Sequence, residues 1–293
     1  SCVLMQNAIP VFVDIEVDSF GICPVALEEA ITAKTKAVIL VHKFGLCSKI
    51  NEIINICSAN SIALIEDSSH AHGATLKGKH LGTFGDIGVF SLHQRKAISA
   101  GDGGVLCTDN IDVYEKVRRL RSFGAGQLSY NYRMTEFAAS LASVGLKHID
   151  DDNQKRQNHH QILTRTLNKT AIRVIEPQKN VKAVFYSNLL DINMDQNKQH
   201  LLCELANKEG IPIKRTWKPL HKHPHFKRSN MPNGIAPWDW ADEIYSEPQT
   251  ISLSRSEEYQ MNRLFELDCN PLVDEATVKV AAEKIKELSE YVT

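Results

Sequence analysis

The sequence predicts an α/β fold: a mostly parallel central sheet sandwiched by helices, followed by a smaller C-terminal α+β domain. Three observations carry this. Over the first third of the chain, strand-like runs that are apolar throughout alternate with single amphipathic helices, which is the pattern of βαβ units whose strands are buried on both faces. Glycine then concentrates at Gly78, Gly82, Gly85, Gly88, Gly101, Gly103 and Gly104, so the backbone there turns tightly or approaches something closely. Beyond residue 171 the strand and helix signals thin out around an irregular stretch, 219–248, holding Pro and aromatic residues with little periodicity.

In chain order, residues 11–15 form a short β-branched run that reads as a strand. Residues 24–33 carry Leu27, Ala30 and Ile31 at helical spacing, and 37–41 is a continuous apolar strand. Ser48 reads as the N-cap of a helix whose buried face is Ile50, Ile53, Ile54 and Cys57, and the strand 62–66 follows. Within the glycine-rich segment lie two short apolar stretches, 87–92 and 105–108. A helix at 112–122 ends in Arg118, Arg119 and Arg121, where cations suit the dipole and need no function. A long helical stretch spans 134–168. Its polar middle, 150–161, reads as a solvated face linking two domains, 1–150 and 151–293. The second domain shows a strand at 183–192, a helix at 198–208, a strand at 211–217 and a final amphipathic helix at 274–291.

Composition bounds the partners. The 293 residues hold 34 Lys+Arg against 35 Asp+Glu, a net charge of −1; nucleic acid and anionic membrane surfaces select a basic excess, so neither is an expected partner. At 43% hydrophobic and 24% charged the chain is apolar enough for an ordinary core and too apolar for disorder. Its apolar runs fall far short of the roughly 18 residues of a membrane helix. Seven scattered cysteines without a C-x-x-C pair argue against a disulfide framework and a thiolate metal site, and suit a reducing, cytoplasmic setting. His221, His223 and His225 alternate on a Pro-rich loop without a companion carboxylate or Cys set, so a structural or substrate-wall role is expected and no metal site.

Two places invite chemistry. Asp67 follows an apolar strand, at the carboxyl end where α/β folds put their ligands. It is either a loop carboxylate or helix cap, or a group that fixes a charged ligand atom. Lys96 ends a strand beside the Gly101-Asp102-Gly103-Gly104 turn. It is either a solvated lysine or a Schiff-base amine kept partly deprotonated by its surroundings.

Taken together, these segments resemble the DegT/StrS-type sugar aminotransferases, a pyridoxal-phosphate-dependent family with the aspartate aminotransferase-like fold type I. The matching stretches are Pro10-Val11-Phe12-Val13-Asp14-Ile15, Val41-His42-Lys43-Phe44-Gly45, Glu66-Asp67-Ser68-Ser69-His70-Ala71-His72-Gly73-Ala74 and Gly85-Asp86-Ile87-Gly88-Val89-Phe90-Ser91. They continue through Lys96, the glycine turn and Tyr130-Asn131-Tyr132-Arg133-Met134, and more loosely through Pro219-Leu220-His221. The resemblance implies that Lys96 forms the Schiff base with pyridoxal phosphate and then shuttles the substrate proton. It implies that Asp67 pairs with the pyridinium nitrogen, that His70 lies beside the ring and its 3′-oxygen, and that Ser91 binds the phosphate. Asn131 would reach the cofactor of a neighbouring subunit in a homodimer with shared sites. The implied reaction moves an amino group, from glutamate, to a nucleotide-linked keto-sugar in sugar or polysaccharide biosynthesis. Two rival readings are a non-catalytic relative that keeps the fold and a sugar dehydratase; in the latter branch histidine replaces the lysine, so Lys96 speaks against it. Family members also carry a front segment, ahead of the position of Ser1, that cradles the phosphate and stacks an aromatic side chain on the ring. The resemblance therefore implies a piece of a longer enzyme.

Overall fold

The structure, a computed structural model, describes residues 1–123, 126–241, 245 and 247–293. A short helix α1 (Cys2–Met5) is followed by α2 (Pro24–Ala30), strand β1 (Ala37–Val41), α3 (Ile50–Ala59) and β2 (Ala63–Asp67). Short strands β3 (Thr75–Leu76) and β4 (Lys79–His80) precede β5 (Ile87–Ser91) and β6 (Gly104–Cys107). Helices α4 (Ile111–Arg121) and α5 (Glu136–Thr166) lead to β7 (Ile172–Val174), β8 (Val181–Lys182), β9 (Ser187–Ile192), α6 (Gln196–Lys208) and β10 (Ile213–Arg215). After a run of 3₁₀ turns come α7 (Ser254–Glu258), β11 (Leu264–Asp268) and α8 (Glu275–Val292).

The first sheet has the order β1-β2-β5-β6, parallel between the first three and antiparallel at β6. Helices α2 and α3 pack on one face, where Val38, Leu40, Leu64, Ile50, Ile53 and Cys57 bury one another. The other face leaves Ile39, Val41 and Leu106 exposed in the described chain, so β1 alternates between covered and open positions where the sequence reads as uniformly buried. The second sheet is antiparallel throughout, in the order β10-β11-β9-β7, and α5, α6 and α8 close over a core of Leu163, Leu190, Ile192, Leu202, Phe265 and Ile285. Between the sheets a third cluster draws Phe20, Phe44 and Leu46 against Phe185, Leu189 and Leu264.

Several sequence expectations meet different physics. Residues 11–15 form no strand; only Ile15 bridges, to Ile22. Asp14 instead accepts bonds from the backbone N–H groups of Arg255 (3.0 Å) and Ser256 (2.9 Å) and from the Ser256 hydroxyl (2.9 Å), strapping this segment to α7. Ser48 does not cap α3: it is buried and its hydroxyl donates to the Val41 carbonyl at 3.1 Å, while Lys49 stands at the N-cap. The polar middle of α5 is not a solvated face. Asn153, Arg156, His159 and His160 are buried, because Asn153 Nδ2 donates to the His72 carbonyl, Gln157 Nε2 to that of Ala183, and His160 Nδ1 meets Asn188 Oδ1. Of the irregular stretch 219–248, residues 242–244 and 246 lie outside the described residues; much of the remainder is 3₁₀ turn.

The glycine density has a concrete cause at Gly88. A Cβ added there would overlap the carbonyl oxygen of Gly82 and sit 2.9 Å from Cys107 Sγ, so the strand admits glycine because another backbone lies against it. Gly88→Ala is expected to lower stability by about 1–3 kcal/mol, read from the urea midpoint; an unchanged midpoint would show that the 82–85 loop yields freely.

Candidate active site

Three neighbouring parallel strands end on one edge and deliver the chemistry there. Behind β1 come His42, Lys43 and Phe44; β2 ends in Asp67 and runs into Ser68, Ser69 and His70; β5 ends in Ser91 and leads to Lys96. Register pairs Val41 with Asp67 and Asp67 with Val89, and the His42 N–H donates to the Asp67 carbonyl (3.0 Å) while that of Ser68 donates to the Val89 carbonyl (2.9 Å).

Alternation along β2 gives its last two carboxylates opposite duties. Glu66 points into the core, fully buried. It faces His42 Nε2 (2.9 Å) and accepts from the N–H groups of Gly82 (2.7 Å), Phe84 (2.6 Å) and Gly85 (2.7 Å). Burial opposes its charge, but the bonds from His42, Gly85 and Gly82 outweigh this and hold the carboxyl below its usual range. Asp67 is half-buried on the other side; its Oδ1 accepts from the Ser69 N–H at 3.0 Å.

A layer of rings floors the site. The His70 imidazole stacks on Tyr186 at 3.9 Å and 13°, with Trp217 edge-on at 6.5 Å. Its Nδ1 accepts from the Phe44 N–H at 3.3 Å, which puts the ring proton on Nε2. Burial, reinforced by the Lys43 and Lys96 charges, pushes its pKa down to about 2, so it is a neutral donor at any physiological pH. Phe44 holds φ 60°, a left-handed conformation that costs a non-glycine residue. The bond to His70 and a bond from the Tyr186 N–H to the Phe44 carbonyl (2.9 Å) keep it there, and with it the direction of Lys43.

The Lys96 amine stands over the Tyr186 ring, 5.1 Å from its centroid. Burial lowers its pKa, with the Asp67 charge opposing. The Ser91 hydroxyl accepts from the His93 N–H (3.3 Å), and the Ser91 carbonyl receives His72 Nε2 at 2.9 Å. Burial takes the His72 imidazole down to about 4, and its Nδ1 is buried with no partner among the described residues. Four of the five expected residues, Asp67, His70, Ser91 and Lys96, thus sit at strand ends or on the loops that follow them, along one sheet edge. Asn131 is exposed and accepts from Arg133 Nε and Nη2, both at 3.2 Å; no contact among the described residues joins it to Lys96.

Lys43, Tyr186, Trp217 and Glu266 were not among the expected site residues. Lys43 was legible only as part of a matching stretch, and the other three reach the site from the second sheet and the segment after it, with no local signal. Glu266 is buried on β11, which raises its pKa. Of the histidine tract, His221 is buried against Glu257 at 2.9 Å, and His223 stacks on His225 at 4.2 Å. No group of three or more metal-ligating side chains occurs among the described residues.

The model of the DegT/DnrJ/EryC1/StrS aminotransferase family matches residues 1–261. An uncharacterized protein of Methanocaldococcus jannaschii is 32% identical over 270 residues, covering 83% of this chain and 69% of its own length. The putative pyridoxal phosphate-dependent aminotransferase EpsN of Bacillus subtilis is 31% identical, over 76% of this chain and 61% of its own. GDP-perosamine synthase of Escherichia coli O157:H7 is 27% identical, over 78% and 65%. The chain therefore spans 61% to 69% of the length of these curated relatives. Among solved structures, Helicobacter pylori PseC, an aminotransferase involved in the biosynthesis of pseudoaminic acid, superposes with a TM-score of 0.85 at 22% identity, over 99% of this chain and 76% of that one.

Proposed function

The chain belongs to the DegT/DnrJ/EryC1/StrS aminotransferase family, whose members are pyridoxal-phosphate-dependent, and from that premise we propose that it moves an amino group from glutamate to a nucleotide-linked keto-sugar. The observation that carries the reading is the convergence of the Lys96 amine, the Asp67 carboxylate and the His70–Tyr186 ring stack at the ends of adjacent parallel strands.

This donor set fits the cofactor: a desolvated amine, a carboxylate within its field and a neutral imidazole over a flat aromatic floor. When bound, pyridoxal phosphate supplies a conjugated ring that takes up the electron pair left on the substrate carbon. Lys96 has two duties, as nucleophile toward a carbonyl and then as the base that takes and returns the substrate proton. Its lowered pKa enlarges the free-amine fraction near neutrality. Asp67 holds a proton on the ring nitrogen by its charge, His70 offers its Nε2–H to the 3′-oxygen, and the Ser91 hydroxyl binds the phosphate. Asn131 reaches a neighbouring subunit's cofactor in a homodimer. In support of that partner, Tyr130, Tyr132, Phe137, Leu141 and Val144 form an exposed apolar run around Asn131 and the start of α5. The acceptor class rests on the perosamine synthase relative, with polysaccharide biosynthesis as the setting. A cytoplasmic location accords with the scattered cysteines; no helix among the described residues is long and apolar enough to cross a membrane.

The test is a covalent trap. Protein mixed with pyridoxal phosphate and reduced with borohydride is expected to carry a pyridoxyl group on Lys96, located by peptide mass mapping. A label confined to Lys43 would move the reacting amine, and one spread over surface lysines would end the reading.

A further inference from the structure

Lys43 is a cation short of an anion. Its Nζ lies 3.9 Å from the Trp217 ring centroid and 4.7 Å from that of Phe44. It makes no hydrogen bond or ion pair with the described residues. Burial pushes its pKa down to about 8, with Glu266 and Asp67 drawing it up and Lys96 pressing it further down. Neither carboxylate closes on it: Glu266 lies 3.9 Å from Lys214 and bonds Ser187, and Asp67 takes the Ser69 N–H. Ring faces offset only part of the cost of desolvating an ammonium, so three N–H donors stay available at the edge of the ring layer that also carries Lys96.

We propose that Lys43 binds the carboxylate of the amino-acid substrate. This deepens the reading above, because it takes Lys96 as the reacting amine. An α-amino acid bears its carboxylate one bond from the carbon whose proton Lys96 handles, so the anion arrives beside that amine. A nucleotide's diphosphate is separated from the reacting carbon by sugar-ring atoms and falls farther out. Trp217, edge-on to His70, covers one side of the ammonium and leaves its N–H groups able to make a charge-assisted bond to an incoming oxygen.

Calorimetric titration of the protein, preincubated with pyridoxal phosphate, tests this with glutarate, a dicarboxylate that lacks the amine and does not react. Lys43→Met is expected to weaken glutarate binding about ten- to hundredfold, and Lys43→Arg to stay within about threefold of wild type, since it keeps the charge. Dimethyl glutarate and inorganic phosphate should bind both proteins alike. Equal glutarate affinity in Lys43→Met and wild type overturns the proposal, as does absence of saturable glutarate binding by wild type. A loss for phosphate as large as that for glutarate overturns the carboxylate assignment. Where Lys43→Met does not fold, Lys43→Gln serves the same comparison. Borohydride labelling of Lys96 in each variant separates the two readings: a wild-type protein unlabelled at Lys96 fails the transaminase reading while the glutarate comparison still decides Lys43.

Discussion

Lys96→Ala is expected to slow exchange of the glutamate α-hydrogen with solvent deuterium by about 10⁴-fold or to background, followed by proton NMR in the presence of pyridoxal phosphate. The magnitude follows from one amine serving in two steps, attack on a carbonyl and return of the proton. Lys96→Arg should be no better, because a guanidinium stays protonated and is neither base nor nucleophile here. The folded state should not suffer. The side chain makes a ring contact and holds a charge that burial disfavours, so the thermal midpoint of Lys96→Ala should equal or exceed that of wild type. Exchange at the wild-type rate would remove Lys96 from the chemistry; a large drop in midpoint would mean that its effect on exchange reflects misfolding.

Glu66→Ala is expected to cost about 3–5 kcal/mol of unfolding free energy, seen as a lower urea midpoint with little change in slope. No single side chain described above satisfies more buried groups. Its loss orphans the N–H groups of Gly82, Phe84 and Gly85 and the Nε2 of His42 together, with Gly82 and His42 buried. The loop 82–85 would come away from β2, loosening the edge on which Asp67 stands. The pH dependence has a definite sign. The folded carboxyl lies below its ordinary value of 4.5, so this stabilisation is fully present above that value and is lost as the pH falls through the folded pKa. Glu66→Ala should therefore flatten the acid limb of the stability profile; an unaltered limb would assign it to other carboxylates.

The first sheet was legible in the sequence because its strands are short apolar runs with a period that does not mimic a helix, and because α2 and α3 alternate with them. Strand β11 was not. It places Glu266 and Asp268 between and after buried Leu264, Phe265 and Leu267, and carboxylates in a central strand read as loop until a lysine partner and a serine are seen beside them. The buried polar row of α5 misled for a related reason. Asn153, Gln157 and His160 recur at helical spacing; Asn153 and His160 are buried and Gln157 half-buried, bonding loop carbonyls and an asparagine, a kind of burial hydropathy does not register. The charged and imidazole groups at the sheet edge were readable from their resemblance to a family's motifs, since they lie close in sequence to strand ends. Their aromatic floor was not, because Tyr186 and Trp217 meet His70 only after two sheets have docked.

The strap between Asp14 and Ser256 gives the fold a schedule. Its partners are separated by 242 positions, so at a synthesis rate of about 5–20 residues per second the acceptor waits roughly 10–50 s for its donors to exist. Throughout that interval the segment at 11–15 has its local bridge from Ile15 to Ile22 but no strap, and the chain can close there only after α7 has been made. The strap thus joins a segment to a partner made much later in the same chain, and in the interval that segment is open to chaperone binding or proteolysis.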